Sequence, residues 1–138
     1  MADDSRLLNL EVISPDRTFF TGESDFVELR TTEGEIGVYK DHIPMTYMLA
    51  PGFLKIHKGT DVKTAVIHNG FIEIQKDHIV ILAEAAEWPG EIDLERARRA
   101  KERAEKRLSS GDPEINIARA ELALRKALMR IEAAEANQ

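Results

Sequence analysis

The chain changes character at Gly90, and this change constrains the fold more than any other feature. Before Gly90, short apolar runs rich in Val, Ile and Phe alternate with turn residues. After it, Ala, Arg, Glu and Leu recur at helical spacing. Strand-like and helix-like patterns of this kind seldom belong to one packed unit. The sequence therefore predicts an α+β chain in which an all-β part docks and a helical part moves.

The first part, residues 1–88, is predicted to be an all-β sandwich, a flattened barrel of short antiparallel strands. Residues 8–12 alternate between apolar and polar side chains, as a half-buried strand does. Turn signals then return about every ten residues, a spacing typical of sandwiches and barrels. Thr21-Gly22 predicts one turn, and Asn69-Gly70 predicts a two-residue hairpin because both of its residues accept a positive φ.

The second part, residues 89–138, is predicted to be an antiparallel two-helix hairpin. Asp93 has the position of an N-cap for a helix over residues 94–108, and Asp112 that of an N-cap for a helix beginning at Pro113. The apolar face of the first helix is mostly alanine. Alanine buries little area, so we expect a thinly packed hairpin that is able to move.

Charge is distributed unevenly along the chain. Residues 1–90 hold 8 Lys and Arg against 15 Asp and Glu, whereas residues 91–138 hold 11 against 10. The acidic first part argues against nucleic acid as a partner. Four arginines of the first predicted helix share one face because they fall at i, i+3, i+7 and i+11. They are Arg96, Arg99, Arg103 and Arg107.

Several classes of function are not expected. The chain has no Cys, and its four histidines lack the spacing of metal ligands, so neither disulfides nor a metal site are expected. No motif for a catalytic nucleophile is present, which argues against catalysis by this chain. No apolar run approaches the ~18 residues of a membrane span, so direct membrane insertion is not expected.

Motifs spread over nearly the whole chain carry a family resemblance. In this order and spacing they resemble the epsilon subunit of bacterial F-type ATP synthases, although each motif is weak alone. The motifs are Leu10-x-Val12-x-Ser14-Pro15, Gly34-Glu35-Ile36-Gly37, His42-x-Pro44, Pro51-Gly52-x-Leu54-x-Ile56, Gly70-Phe71-x-Glu73, Leu82-Ala83-Glu84 and Ile92-Asp93-x-x-Arg96-Ala97.

The resemblance implies a non-catalytic central-stalk subunit, peripheral to the cytoplasmic face of the cell membrane. Its sandwich would dock on the gamma subunit and contact the rotor ring of the membrane sector through Glu35, Tyr39 and His42. Its hairpin would extend toward the beta and alpha subunits, with Arg99 and Arg107 against beta, and inhibit ATP hydrolysis. The loop of His42 lacks the Pro-Gly common in the family, so its shape is expected to differ.

The resemblance also implies a regulatory nucleotide site. In some family members the folded hairpin binds ATP, which is a regulatory ligand and not a required cofactor. Lys126 stands where an arginine is found in one pattern, and a lysine attracts phosphate with a looser geometry. The residues that match by position are Glu87, Ile92, Asp93, Arg96, Ala97, Arg103, Lys126 and Arg130.

Simpler roles and other functions remain open on the sequence alone. Asp93 is first an N-cap, Glu35 fits an ordinary surface carboxylate, and the arginine face also fits a solvated surface. An ATP-sensing module whose hairpin inhibits little is one alternative function. A structural adaptor without regulation is another, and a stand-alone enzyme is the most distant.

Overall fold

The computed structural model of the chain describes residues 6–137, so the outer limits of the predicted domains, residues 1 and 138, lie outside it. The chain divides into two compact units between Glu87 and Trp88. The strands lie in the first unit and the helices in the second. The predicted fold class, an N-terminal β-sandwich followed by a two-helix hairpin, is confirmed.

Over the described residues, the first unit is built from eight strands. Their bounds are β1 (Leu8–Ser14), β2 (Arg17–Ser24), β3 (Phe26–Thr31), β4 (Gly34–Val38), β5 (Met45–Leu49), β6 (Gly52–Lys58), β7 (Asp61–Ile74) and β8 (His78–Glu87). The order of the paired strands is β2-β1-β8-β7-β5-β3-β4, and β6 pairs with both β3 and β7. The pairing of β1 with β8 is parallel, and the other pairings are antiparallel.

The long strand β7 makes the sheet fold over into a sandwich. It pairs with β8 from Val66 to Ile74, while its first half pairs with β6 and its second half with β5. Inward-facing apolar side chains fill the space enclosed, among them Leu10, Leu54, Ile72 and Ile81, each at most 1% exposed. At roughly 25 cal/mol per Å² of apolar surface, this burial is what stabilises the first unit.

The two predicted turns at glycine are wrong. Residues Asn69 and Gly70 do have positive φ angles, 45° and 131°, but they lie inside the continuous strand β7. They bend the strand where its partner changes from β6 to β5, while the register with β8 runs on unbroken. Thr21 and Gly22 likewise lie inside the strand β2, where Gly22 pairs with Leu10 of β1. Positive φ thus serves a strand bend here, which a local pattern cannot tell from a hairpin turn.

The second unit begins with a short 3-10 turn, Pro89–Glu91, and contains α1 (Leu94–Ser109) and α2 (Ile117–Ala136). The predicted N-cap Asp93 is confirmed, since its Oδ1 accepts a hydrogen bond from the backbone N–H of Arg96 at 3.1 Å. The predicted N-cap Asp112 is wrong. Its Oδ1 accepts from the N–H of Glu114 at 2.9 Å, which closes a local turn instead of starting a helix. Asn116 caps α2.

The two helices pack through alanine at seven-residue intervals. The buried alanines at this spacing are Ala97 and Ala104 on α1, and Ala120, Ala127 and Ala134 on α2. Small side chains let helix axes approach closely, but each buries little apolar area. The hairpin is therefore thinly packed.

Candidate functional site

Glu87, the first of the predicted nucleotide ligands, is the last residue of β8. Its Oε1 lies 2.9 Å from Nε2 of His68, which belongs to the neighbouring strand β7. The side chain of Glu87 is 24% exposed and that of His68 only 2%. The carboxylate is therefore held from the inside of the sandwich while one side of it reaches the surface.

Four further predicted ligands lie at the start of α1. Ile92 ends the 3-10 turn, and Asp93 follows it as the N-cap. One turn into the helix, Arg96 is exposed and Ala97 is buried. The first two helical turns therefore present a carboxylate and a guanidinium together, next to the unpaired backbone N–H groups that a helix N-terminus carries.

The remaining predicted ligands are cations on the two helices. Arg103 is exposed on α1, two turns beyond Arg96. Lys126 and Arg130 lie one turn apart on α2, and both are half-buried. Seven of the eight predicted ligands thus belong to the second unit, and Glu87 to the first.

The arginine face of α1 consists of Arg96, Arg99, Arg103 and Arg107, all of them exposed. Glu95 binds Arg98, a residue beside this face, with 2.8 Å between the carboxylate and the guanidinium. An exposed i,i+3 pair of this kind contributes only ~0.5 kcal/mol or less. The arginine face itself is a concentrated positive surface, and it suits an acidic partner.

Two of the three predicted ring contacts, Glu35 and Tyr39, lie at the two ends of one strand. Glu35 is exposed near the start of the edge strand β4, and Tyr39 follows the end of the same strand. Four residues of extended chain separate these two by about 13 Å. Tyr39 is 63% exposed, and its ring stacks on Phe26 with 4.3 Å between the ring centroids. Nδ1 of His42 lies 2.6 Å from the carbonyl oxygen of Ile43.

A surface that was not predicted crosses four neighbouring strands. Met48, Phe71, Leu82 and Ile13 are successive partners across β5, β7, β8 and β1. We call these four residues the apolar row. Met48 is 58% exposed, and Phe71 and Leu82 are each 49% exposed. The row lines a shallow groove of about 660 Å³ together with neighbouring residues such as Pro15.

One signal in the sequence could have revealed the apolar row. Strand β8 contains Ile79-Val80-Ile81-Leu82, an unbroken apolar run. A strand with one wet face should alternate with polar residues, so an unbroken run indicates that both faces are covered. Exposed apolar surface that crosses several strands in this way marks an interaction site.

Neither a metal site nor a membrane-spanning helix is found in the part of the chain that the structure describes. Over residues 6–137, no three His, Asp or Glu side chains converge as metal ligands do. Neither helix in this range is long and apolar enough to cross a membrane.

Comparison with known proteins matches both units. The family model of the ATP synthase delta/epsilon chain beta-sandwich domain matches residues 7–89, and that of its long alpha-helix domain matches residues 91–135. The ATP synthase epsilon chain of Halalkalibacterium halodurans is 45% identical over 92% of this chain and 96% of its own length. The ATP synthase epsilon chain of Caldanaerobacter subterraneus subsp. tengcongensis is 44% identical over 96% of this chain and 97% of its own length.

Solved structures agree with these matches. A chain in the Euglena gracilis mitochondrial ATP synthase, in a structure of OSCP, F1 and c-ring, has a TM-score of 0.79 at 28% identity, with 95% of this chain and 81% of that chain covered. A chain in the Tetrahymena thermophila central stalk and c-ring has a TM-score of 0.59 at 15% identity, which shows the fold alone.

The sequence motifs predicted this family, and the comparisons match it over nearly the full length of the chain. This chain belongs to the ATP synthase delta/epsilon chain family, as an epsilon chain and not a catalytic subunit.

Proposed function

We propose that this subunit couples the rotor of a proton-translocating ATP synthase to the catalytic head and inhibits ATP hydrolysis through its helical hairpin. The observation that carries the proposal is the division of the chain between Glu87 and Trp88 into two compact units. The sandwich buries many large apolar side chains, whereas the buried residues of the two helices are alanines and one methionine, Met129. A unit of low packing energy that exposes an arginine face suits a movable inhibitory element.

The sandwich docks on the gamma subunit through the apolar row. Removing Met48, Phe71 and Leu82 from water is favourable, and their partly exposed side chains leave that gain available to a partner. Charged residues are depleted at the centre of such interfaces, and the row itself contains none.

The rotor ring is contacted at two places on the sandwich. Glu35 supplies one contact, and Tyr39 with His42 supplies another. The two contacts are separate because extended chain places Glu35 and Tyr39 about 13 Å apart. Lys40 and Asp41 replace the Pro-Gly common in the family, and Asp41 takes up the positive φ of 68° that a glycine would adopt without strain. The different residues therefore leave the backbone able to turn at this point.

ATP is the regulatory ligand of the hairpin, and no cofactor is required. The triphosphate is attracted by Arg96, Arg103, Lys126 and Arg130, all of them cationic. Asp93 combines its role as N-cap with a contact to the nucleotide, and Ile92, Ala97 and Glu87 complete the set. Because ATP binds only the folded hairpin, it shifts the population away from the extended, inhibitory form.

In the assembled enzyme the subunit is peripheral and lies on the cytoplasmic face of the cell membrane. The extended hairpin reaches the catalytic head, where Arg99 and Arg107 contact acidic segments of the beta subunits, with alpha alongside. Charge pairs that become partly desolvated in such an interface contribute more than exposed pairs, which give ~0–1 kcal/mol each.

The proposal is tested by ATP hydrolysis of the reconstituted complex with the full chain or a chain truncated after Gly90. We expect faster hydrolysis with the truncated chain at equal incorporation. Equal rates would contradict inhibition by the hairpin, and failure of both chains to join the complex would contradict docking. Replacing Phe71 with Asp should weaken incorporation, whereas replacing the exposed Thr60 with Asp should leave it unchanged.

Regulation by ATP is tested separately, by titrating the full chain with ATP. Asp93→Asn keeps an N-cap of equal quality and removes the charge, so it separates ligand contact from helix capping. We expect changed ATP affinity with unchanged helix content. Equal affinity of Asp93→Asn and the unmodified chain would contradict a role for the Asp93 carboxylate in binding.

A further inference from the structure

A buried histidine lies behind the predicted nucleotide ligand Glu87. His68 is 1% exposed, and its Nε2 lies 2.9 Å from Oε1 of Glu87. Its other ring nitrogen, Nδ1, is buried and has no hydrogen-bond partner among the described residues. Buried polar atoms are usually paired, so an imidazole with one unpaired nitrogen requires an explanation.

The unpaired nitrogen fixes where the proton of His68 lies. A proton on Nδ1 would be a buried donor without an acceptor, which is the more costly arrangement. A proton on Nε2 lets Nε2–H donate to the Glu87 carboxylate. The geometry thus assigns His68 as the donor and Glu87 as the acceptor.

The backbone at this point is already held by other contacts. Glu87 is paired in register with Val66 of β7, and the guanidinium of Arg17 lies 3.4 Å from the carbonyl oxygen of Ala86. These backbone contacts do not by themselves set the direction of the Glu87 carboxylate, because a glutamate side chain has three rotatable bonds; the His68 bond is one of the contacts that act on it. The bond from His68 restricts that direction.

We propose that His68 is a positioning residue that orients Glu87 as an acceptor for an N–H or O–H group of bound nucleotide. A carboxylate has about four lone-pair sites, so it can accept from His68 and from a ligand together. An oriented acceptor binds more tightly because less side-chain freedom is lost when the ligand arrives. The inference rests on the proposed function, in which Glu87 contacts ATP.

The test is calorimetric titration of the full chain with ATP for three variants. His68→Leu removes the donor, and we expect about three- to tenfold weaker binding. His68→Gln restores an N–H at similar reach, and we expect affinity within about twofold of the unmodified chain. The matched control is His57→Leu, which removes another His–Glu pair, His57 with Glu28 at 2.6 Å, and should leave affinity unchanged.

A double-mutant cycle separates positioning from general destabilisation. In the background of Glu87→Ala, His68→Leu should cause no further loss of ATP affinity, because the carboxylate it positions is absent. A further loss of the same size as before would overturn the proposal. If His68→Leu does not fold, His68→Asn is used in its place. The amide N–H of Asn reaches the position of Nδ1 and not that of Nε2, so this variant should bind ATP more weakly than His68→Gln. Equal ATP affinities of the Asn and Gln variants would overturn the proposal.

The two proposals fail in different ways. If the unmodified chain does not bind ATP, the nucleotide role in the proposed function is wrong and the positioning role falls with it. If the unmodified chain binds ATP and His68→Leu binds it equally well, only the positioning role is wrong.

Discussion

Gly70 is the residue whose lack of a side chain the fold depends on most directly. It has a φ of 131°, and a Cβ built on it would lie 2.0 Å from the backbone oxygen of Leu82 on β8. Both the backbone angle and the close approach therefore require glycine. Gly70 directly precedes Phe71, which pairs with Met48 and Leu82 in the apolar row.

We predict that Gly70→Ala lowers the free energy of unfolding by about 3 kcal/mol or more, from strain at positive φ and from the collision with β8. Gly59→Ala is the matched control. Gly59 also has a positive φ, 63°, but nothing lies within 4 Å of its Cβ position, so it should lose only about 1 kcal/mol. Urea unfolding of both variants checks this, and equal losses would show that the close approach is unimportant.

At the scale of elements, patterns that depend on local chemistry were predictable. The helix α1 and its cap Asp93 follow from side chains within four residues of one another. By contrast, β5 was not predicted, because Met45–Leu49 is recognisable as a strand only through its pairing with β7. The same limit explains Asn69-Gly70, since the choice between a hairpin and a bend is made by partner strands distant in sequence.

The candidate site also contains features that could be predicted from the sequence and features that could not. The arginine face was predictable from helical spacing alone, whereas the cationic nucleotide ligands were named only through the family resemblance. The bond from His68 to Glu87 was not, because the two residues lie 19 positions apart and meet only through the register of β7 with β8. The apolar row depends on the registers of four strands and was missed for the same reason.

The alanine contacts between α1 and α2 give a prediction at the scale of the hairpin. Ala104 is 1% exposed, so Ala104→Leu should overpack the interface and lower the stability of the hairpin by about 1–3 kcal/mol. Ala118→Leu is the control, because Ala118 is exposed on α2 and should tolerate the change within about 0.5 kcal/mol.

Hydrogen exchange resolved by segment measures this effect. Faster exchange in α1 and α2 of Ala104→Leu, with unchanged exchange in the sandwich strands, is the expected result. Equal acceleration in both units would instead show that the hairpin does not open independently, which would contradict its role as the movable element.

For the whole molecule, the uneven distribution of charge is the feature that connects the fold to the proposed inhibition of ATP hydrolysis. The sandwich side of the chain is acidic, and α1 exposes its arginine face. Contacts made by exposed charges are screened within ~8 Å at physiological ionic strength, so an inhibition that depends on them should weaken as salt rises. An inhibition that depends on apolar packing should not weaken as the salt concentration rises.

We predict that replacing both Arg99 and Arg107 with Ala raises ATP hydrolysis by the reconstituted complex toward the rate with the truncated chain. Losing two partly desolvated charge pairs, at ~1 kcal/mol each, lowers the ratio of inhibited to uninhibited complexes by about thirtyfold. Arg98→Ala is the matched control, because Arg98 already binds Glu95 beside the arginine face and should leave inhibition unchanged.

The salt dependence distinguishes a specific contact from a general loss of positive charge. The unmodified chain should inhibit less as salt increases, whereas the Arg99 and Arg107 double variant should show little further change because its pairs are already lost. If the double variant and Arg98→Ala relieve inhibition equally, net charge is responsible and not the arginine face. Inhibition that stays complete in the double variant at every salt concentration would show that these two side chains do not hold the extended hairpin against the catalytic head.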